Sequence, residues 1–383
     1  MKQCAFALSV LICLVCSCRP DVIDNDKTPG GTADKAVLLK GGDISFLTLI
    51  EQKGGKYYLD GKESDCVKLL KDNGFNIVRL RLYNDPGNKN FSPSKKMYAG
   101  IQDEADILAL AKRAKAHGLQ IELTFHYSDY WTNGADQYKP HEWEALSYEV
   151  LKNRVYEYTK AFLLKMNAQG TAPEYVSLGN EVQAGLLYPE GSVDTSIKQT
   201  AEFLASGARA VREAAPEAGI IIHLDDGGNL SKYTWFFGEM KKYGVDYDII
   251  GASYYPFWTG RSIEEISAWA DALGKAFGKP VLLMETGFAW TEKTHDNGNA
   301  QLSHNRPYGV SKQEQKDFMS KLFKAIAASE WLIGDLYWDP IFIPAGDAGW
   351  IPGSPNVVSN STLFDFEGNA LPVFDAFRAQ YDQ

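Results

Sequence analysis

The stretch "YVSLGNE", residues 175–181, is a short apolar run that ends in an amide and a carboxylate. Tyr175, Val176 and Leu178 suit a strand that is buried between helices, and the polar pair marks the point where that strand emerges. Seven other stretches of the same kind are spread along the chain, so the sequence predicts eight strands. The other seven are "LLKGGDIS", "NIVRLRLY", "LQIELTFHYSD", "GIIIHLDDG", "DIIGASYYP", "PVLLMETGF" and "IGDLYWDP".

Helical segments separate the predicted strands. The segment "EADILALAKRAKAHG", for example, has apolar residues at helical spacing and a glycine that ends the pattern. Strands that alternate with helices are typical of parallel sheets with crossover helices. Eight such units predict an α/β fold, a single (β/α)8 TIM barrel in residues 36–383. A doubly wound sheet is the alternative, but no glycine-rich phosphate loop follows the first strand.

Polar or aromatic side chains follow every predicted strand. In a barrel of this type the functional residues lie at the carboxyl ends of the strands, so these side chains should meet in one pocket. In chain order they are Asp43, Asn84, Asp85, His126, Asp129, Glu181, Asp225, Asp226, Tyr254, Tyr255, Glu285 and Trp338.

Two glutamates in this set suggest a chemistry. Glu181 and Glu285 end the fourth and seventh strands, so they face each other across the barrel mouth. Hydrolysis of a glycosidic bond requires two carboxyl groups with different pKa values, one as acid and the other as nucleophile or base. Asn180, just before Glu181, can donate to the sugar 2-hydroxyl. Taken alone, such an Asn-Glu pair is more often a strand end that meets solvent.

Tryptophans support a sugar ligand. A single tryptophan is more often explained by packing, but four fall in or beside the strand-end loops, where their faces can stack on pyranose rings. They are Trp131, Trp290, Trp338 and Trp350.

Three charged residues are predicted to point into the barrel. Alternation along the strands places Arg79, Arg81 and Glu122 opposite the apolar face that meets the helices. Unpaired charges there would be costly, so one of the arginines should pair with Glu122 and with pocket carboxylates. Arg79 suits a structural ion pair and a functional role equally well. Arg81 lies nearer the mouth, which favours a functional role.

The composition excludes several other classes. The net charge of −10 argues against a nucleic-acid partner and against an acidic polymer as substrate. The six histidines lack the spacing of a catalytic zinc site, and we expect no cofactor for catalysis. The loop "THDNGNAQ", residues 294–301, is rich in oxygen donors. Asp296, Asn297 and Asn299 could bind one structural calcium ion there, or the loop could simply be solvated.

The N-terminus is predicted to be a targeting segment. Lys2 precedes the apolar run Ala5–Val15, which is too short to span a membrane. The run ends in Val15-Cys16-Ser17-Cys18, which resembles a lipobox, so we expect residues 1–18 to be a lipoprotein signal peptide ending at the lipid-modified Cys18. A plain signal peptide is the alternative, because Cys16 is unusual at its position.

The segment after this signal reads as a tether. Residues 19–35 are polar and contain proline and glycine, which favours a flexible linker. Membrane attachment would then be by lipid only. We expect a monomer on the outer membrane or cell surface of a Gram-negative bacterium. Cys66 would be the only unmodified cysteine left, which excludes an intramolecular disulfide.

The strand-end residues also resemble a known group of enzymes. Asn180-Glu181 and Glu285, with other strand-end side chains, are similar to the sites of clan A glycoside hydrolases. Six motifs in order resemble glycoside hydrolase family 53, the endo-β-1,4-galactanases, from about residue 38 to near the C-terminus. They are "GGDISFL", "NIVRLRLYNDP", "LTFHYSDYW", "VSLGNEVQAGLLYPEG", "GASYYPFW" and "METGFAW".

The resemblance implies a function. It implies cleavage of internal β-1,4 bonds in the galactan side chains of pectic arabinogalactan, with retention of configuration. Glu181 would be the acid/base, Glu285 the nucleophile, and the peptide bond between Trp338 and Asp339 would be cis. Residues implied to line the catalytic subsite are Asp43, Arg81, Asn84, His126, Asn180 and Tyr255. The stretch "TNGADQYKP" after Trp131 departs from the shorter acidic loop of the family.

Two other functions fit parts of the pattern. A different clan A activity, such as a mannanase or a cellulase, would use the same paired glutamates. A non-catalytic glycan-binding lipoprotein on a decayed barrel is the alternative from another class. A binding protein has no need of two opposed carboxylates, so the glutamate pair favours an enzyme.

Replacing Cys18 tests the predicted anchor. Cys18→Ala should move the protein from the membrane fraction to the soluble fraction, because no other segment is expected to hold it there. Fractionation and labelling with a radioactive fatty acid measure this outcome. Label that persists on the variant would contradict lipidation at Cys18.

Overall fold

The computed structural model describes residue 1, residues 37–90 and residues 96–381. The predicted lipidation site Cys18 and the predicted tether, residues 19–35, lie outside the described residues. The helices and strands of the described residues belong to the compact unit Ala36–Gln383.

Eight parallel strands form a closed barrel, as the sequence predicts. Its strands are β1 (Leu39–Asp43), β4 (Ile77–Leu82), β5 (Gln120–Phe125), β6 (Tyr175–Leu178), β7 (Gly219–Leu224), β8 (Ile249–Tyr254), β9 (Val281–Thr286) and β10 (Leu332–Tyr337). Each strand pairs with the next along the chain, and β1 pairs with both β4 and β10, which closes the ring. The predicted strands are longer than the observed ones because their polar ends belong to the loops above the barrel.

A two-stranded hairpin interrupts the pattern between β1 and β4. It consists of β2 (Tyr57–Leu59) and β3 (Lys62–Ser64), which pair antiparallel. Asp60 and Gly61 both have positive φ, 51° and 73°, as a tight two-residue hairpin turn requires. This Asp-Gly signal is present in the sequence, but it does not belong to the repeated strand–helix unit, and the hairpin is missing from the prediction.

Helices surround the barrel. They are α1 (Leu47–Gln52), α2 (Cys66–Asp72), α3 (Glu104–Ala116), α4 (Tyr148–Ala168), α5 (Val193–Ala214), α6 (Leu230–Lys242), α7 (Pro256–Thr259), α8 (Ile263–Phe277), α9 (Lys312–Ala328) and α10 (Phe374–Arg378). Short 3-10 turns are formed by His141–Trp143, Val182–Ala184 and Ser359–Ser361. Within residues 37–90 and 96–381, none of the helices combines the length and the apolar composition that a membrane span requires. Cys66, the first residue of α2, is a buried free thiol.

The core has two layers with different chemistry. Val78, Leu80 and Leu82 of β4 face the helices and belong to the large apolar cluster, as the alternation predicts. A smaller apolar cluster fills the barrel interior; it contains Leu39, Ile77, Ile221, Ile249, Leu282, Met284 and Leu336. Above it, toward the strand ends, the inward side chains are polar. The barrel therefore has an apolar floor and a polar upper end.

Candidate active site

A cavity of about 340 Å³ opens at the carboxyl ends of the strands. Eight residues that the sequence singles out line it together: Arg81, His126, Asn180, Glu181, Tyr255, Glu285, Trp338 and Trp350. Trp131, from the loop after β5, is a ninth such residue. The predicted pocket therefore exists, and it contains both glutamates.

Several predicted residues do not line this cavity, among them the strand-end residues Asp85, Asp129, Asp225, Asp226 and Tyr254. Asp225 and Asp226 line a neighbouring cavity, Asp129 accepts from the Asp85 N–H, and the Tyr254 hydroxyl donates to the Arg261 carbonyl.

Three other predicted residues also lie outside the cavity that contains the glutamates. Asp43 is fully buried beneath it, where its carboxylate faces Arg81. Asn84 is half-buried, and its backbone N–H donates to Ser128. Trp290 lines a different cavity, beside Phe366 and under the ammonium group of Lys312. The structure thus does not bring Trp290 to the glutamate pair, because the loop after β9 directs its ring away.

Glu285, at the end of β9, is held by two donors. Arg79 Nη1 lies 2.7 Å from Oε1, and the Tyr255 hydroxyl donates to Oε2 at 2.9 Å. The carboxyl group is mostly buried at the cavity wall. Two donors on two different oxygens fix the orientation of the carboxylate, and the arginine supplies a permanent opposite charge.

Glu181 follows β6 with a left-handed backbone, φ 50° and ψ 56°. Such a conformation is uncommon for a residue with a side chain, and it turns the chain sharply at the barrel mouth. Gln137 holds this turn, since its Nε2 donates to the carbonyl oxygens of Asn180 and Glu181, at 2.8 Å and 3.2 Å. Gln137 comes from the stretch that departs from the family pattern, and no local pattern in the sequence predicts this contact.

The environment of Glu181 favours its protonated form. Burial, and then the nearby negative charge of Glu285, raise the pKa of Glu181 to about 8. The charge of Asp225 acts in the same direction, while Arg79 and a hydrogen bond from Ser253 oppose the shift. The sequence predicts that the two carboxyl groups have different pKa values, and the structure gives burial as the first cause of the shift at Glu181. The two carboxyl groups therefore have different environments, as acid/base chemistry requires.

Asn180 connects the two sides of the site. Its Oδ1 accepts a hydrogen bond from Arg79 Nη2 at 2.6 Å, and its Nδ2 donates to the Thr132 carbonyl at 2.8 Å. An amide nitrogen carries two hydrogens, so one remains for a ligand in the cavity.

Arg79, which the sequence leaves open between a structural ion pair and a functional role, contacts Glu285 directly. Its guanidinium is fully buried and reaches Glu285, Asn180 and, at 3.5 Å, the carboxylate of Glu122. The predicted pairing with Glu122 is correct. The preference for Arg81 over Arg79 is incomplete, because Arg79, one layer lower in the barrel, contacts the carboxylate of Glu285. Burial raises the pKa of Glu122 to about 8, and Arg79 opposes this shift.

Arg81 contacts acidic and aromatic side chains beside the cavity. Its Nε lies 2.8 Å from Asp43 Oδ2, and its Nη2 lies 3.7 Å from Asp339 Oδ2. The guanidinium also lies over the Trp131 ring, 4.5 Å from its centroid. Burial and the charge of Asp43 raise the pKa of Asp339 to about 8, and Arg81 opposes this shift. The Trp338–Asp339 peptide bond is cis, as predicted.

His126 offers a neutral donor or acceptor to the cavity. Burial, and then the charges of Arg81 and Arg79, hold its pKa well below the usual range. Its Nδ1 lies 2.7 Å from Thr132 Oγ1, and its buried Nε2 has no hydrogen-bond partner among the described residues. A sugar hydroxyl would satisfy this nitrogen.

Three tryptophans surround one side of the cavity. The Trp131 and Trp350 rings are stacked, with centroids 4.5 Å apart and planes 9° apart. Trp338 meets Trp350 edge to face at 5.3 Å. Three of the four tryptophans that the sequence predicts for sugar stacking therefore lie at this cavity, and Trp290 does not.

The loop after β9 does not fit a calcium site well. Asp296 is the only carboxylate of the three predicted ligands, and its Oδ1 accepts from the Gly298 N–H at 2.9 Å and from the Thr294 hydroxyl. Calcium takes about six to eight oxygen ligands. No group of three or more His, Cys, Asp or Glu side chains in the described residues could hold a metal ion. The predicted ligands Asn297 and Asn299 lie in the same loop.

Comparison with known proteins gives the family. The model of glycosyl hydrolase family 53 matches residues 39–377. The chain belongs to glycosyl hydrolase family 53. Two relatives are the endo-beta-1,4-galactanase of Bacillus subtilis, 31% identical over 89% of this chain and 85% of the relative, and the arabinogalactan endo-beta-1,4-galactanase of Cellvibrio japonicus, 29% identical over 92% and 93%.

Solved structures agree with this assignment. The family 53 catalytic domain of Ignisphaera aggregans superposes with a TM-score of 0.84 and is 33% identical, covering 90% of this chain and 96% of that one. This family 53 chain is therefore a glycosidase, with a TIM barrel that requires no catalytic cofactor.

Glu181→Gln should stabilise the fold at alkaline pH. The raised pKa of Glu181, about 8 against 4.5 for the ordinary group, means that its contribution to stability is fully present below about pH 4.5. That contribution is lost as the pH rises through 8. Glutamine stays neutral, so the melting temperature of the variant should exceed that of the parent at pH 9, with little difference at pH 5.

Glu213→Gln is the matched control for this measurement. Glu213 is on the surface, and hydrogen bonds from Lys160 and Tyr156 lower its pKa. Its replacement should give no gain in melting temperature at pH 9. An equal difference for Glu181→Gln at both pH values would contradict a raised pKa of Glu181.

Proposed function

We propose that this protein is a retaining endo-β-1,4-galactanase that cleaves galactan side chains of pectic arabinogalactan. The observation that carries the proposal is the meeting of Glu181, Asn180 and Glu285 in one aromatic-walled cavity of a family 53 chain. Relatives along most of the chain are named as galactanases. The substrate is thus galactan or a galacto-oligosaccharide.

The first step breaks the glycosidic bond. Glu285 attacks the anomeric carbon, held in place by Arg79 and Tyr255. Glu181 donates its proton to the departing oxygen, and its pKa of about 8 keeps it protonated near neutral pH. A covalent galactosyl–enzyme intermediate forms on Glu285.

The second step uses the same two residues. Once Glu285 carries the sugar, its negative charge is gone, so one cause of the raised pKa of Glu181 disappears. Glu181 is then ionised and can take a proton from water, which attacks the anomeric carbon and releases the sugar. Two inversions give net retention.

The remaining cavity residues suit sugar recognition. The free amide hydrogen of Asn180 can bind the 2-hydroxyl, a contact that strengthens in the transition state. The Nε2 of His126, which has no partner among the described residues, and the buried guanidinium of Arg81 provide further polar contacts. The faces of Trp338 and Trp350 can stack on pyranose rings. Asp43 acts through Arg81.

The cleft continues beyond the catalytic pair, which favours internal cleavage. A second cavity of about 450 Å³ shares Glu181, Tyr255 and Trp258 with the first. Asp225, Asp226 and Lys232 line its far side. A chain that enters one cavity and leaves by the other would place an internal bond at Glu181.

We also propose that the enzyme is a monomer anchored through a lipid on Cys18, at the outer membrane or cell surface of a Gram-negative bacterium. The lipobox-like ending of the apolar N-terminal run supports this location.

A structural calcium ion on the loop after β9 stays a prediction of the sequence, and the single carboxylate among the three predicted ligands does not favour it. If calcium binds there, a chelator should lower the melting temperature.

A substrate panel tests the activity. The purified protein should release oligosaccharides from β-1,4-galactan and be at least tenfold slower on mannan and cellulose. Glu285→Ala and Glu181→Ala are the matched negative controls, because both keep the aromatic walls. Faster turnover of mannan or cellulose would indicate another clan A activity. Binding of galactan without products would indicate a glycan-binding protein.

Azide rescue tests the separate roles of the glutamates. Glu181→Ala should still form the covalent intermediate from an activated aryl galactobioside, whose leaving group needs no proton, and then stall. Azide should rescue it and give the β-galactosyl azide, while Glu285→Ala should yield the α-azide. NMR of the products distinguishes the two. An α-azide from the Glu181 variant would mean that the roles are reversed.

A further inference from the structure

We infer that Ser253 and His223 are positioning residues that fix which oxygen of Glu181 carries the catalytic proton. The inference rests on the proposed acid/base role of Glu181. Neither residue was among the predicted site residues, although each is the penultimate residue of its strand, β8 or β7.

A chain of two hydrogen bonds links the three side chains. The Ser253 hydroxyl donates to Glu181 Oε1 at 2.7 Å. On its other side, Ser253 Oγ lies 2.9 Å from Nε2 of His223, which is fully buried. No group in the described part of the chain hydrogen-bonds to Glu181 Oε2, so this second oxygen is left for a ligand.

His223 is a neutral imidazole with one N–H. Burial, and then the positive charge of Arg79, hold its pKa well below the usual range. Its Nδ1 has no hydrogen-bond partner within residues 37–90 and 96–381. Buried N–H groups without a partner are rarer than buried unpaired acceptors. We therefore place the hydrogen on Nε2, from which it is donated to Ser253 Oγ.

This assignment determines the direction of the chain. A serine hydroxyl has a single hydrogen. Because His223 already donates to Ser253 Oγ, that hydrogen points at Glu181 Oε1, which must accept. The acid proton of Glu181 is then confined to Oε2, the oxygen without a protein partner. When the proton leaves, the same hydroxyl stabilises the carboxylate that forms.

Charged groups also act on Glu181 and must be kept constant in a test. Glu285 on β9, Asp225 after β7 and Arg79 on β4 all contribute to its pKa. Ser253→Ala removes an uncharged donor and leaves these charges unchanged. Because Ser253 donates to the carboxylate, its removal should raise the pKa of Glu181 by about 0.5–1 pH unit. Ser253→Thr keeps the hydroxyl and is the matched control.

The direct measurement is the 13C resonance of the Glu181 carboxyl carbon, followed as a function of pH in glutamate-labelled protein. The signal is assigned by its loss in Glu181→Gln. We expect a higher pKa in Ser253→Ala and the parent value in Ser253→Thr. The melting temperatures of both variants show that the fold is kept. The NMR titration needs no turnover, so it decides the positioning role even if galactan is not the substrate.

Kinetics give a second readout. In Ser253→Ala the proton can occupy either oxygen, so kcat/KM on galactan should fall about tenfold. On an activated aryl galactobioside, whose first step needs no acid, kcat/KM should stay near that of the parent. The alkaline limb of the galactan pH profile should move to higher pH with the NMR value.

Variants of His223 test the far end of the chain. His223→Gln retains a donor near Nε2 and should leave the pKa of Glu181 at the parent value, while His223→Leu should raise it. If His223→Leu does not fold, the serine variants decide. A Ser253→Ala titration that coincides with the parent, or a Ser253→Thr shift equal to that of Ser253→Ala, would overturn the inference. A parent that hydrolyses no galactan would instead refute the proposed function.

Discussion

The upper end of the barrel depends on the ion pairs and hydrogen bonds that the buried guanidinium of Arg79 forms. A charge with no exposure to water is stable only where opposite charges and hydrogen-bond acceptors surround it. Arg79 finds these in Glu285 on β9, in Asn180 after β6, and in Thr124 and Glu122 on β5. Its planar fork binds the proposed nucleophile and the neighbouring amide at the same time, so one side chain sets their relative position.

Barrel closure makes this arrangement possible. Arg79 is on β4 and Glu285 on β9, strands that are not neighbours in the sheet. Only a ring brings their inward side chains together above a common apolar floor. The left-handed turn at Glu181, held by Gln137, then directs the second carboxyl group into the same cavity. Preorganisation here comes from the whole ring rather than from any single loop.

The same arrangement places acids where burial disfavours their charged forms. The pKa values of Glu181, Glu122 and Asp339 are all raised to about 8, with burial as the first cause in each case. Ionisation of these groups at alkaline pH costs stability. For Glu181 that cost is the counterpart of its proposed function, because an acid must hold its proton at the pH at which it works. Residues that suit catalysis commonly lower the folding stability of an active site.

The sequence by itself determined the barrel, its eight strands and the meeting of Glu181 with Glu285. Alternation and strand ends are local patterns, and a closed parallel barrel converts them into positions in one pocket. Tertiary structure decided what such patterns cannot encode. Three contacts are examples: Arg79 with Glu285, Gln137 with the turn at Glu181, and Trp290 with Phe366. They depend on side-chain length and on the paths of the loops. The chain from His223 through Ser253 to Glu181 joins three strands, so its existence depends on distances across the sheet that no stretch of sequence contains.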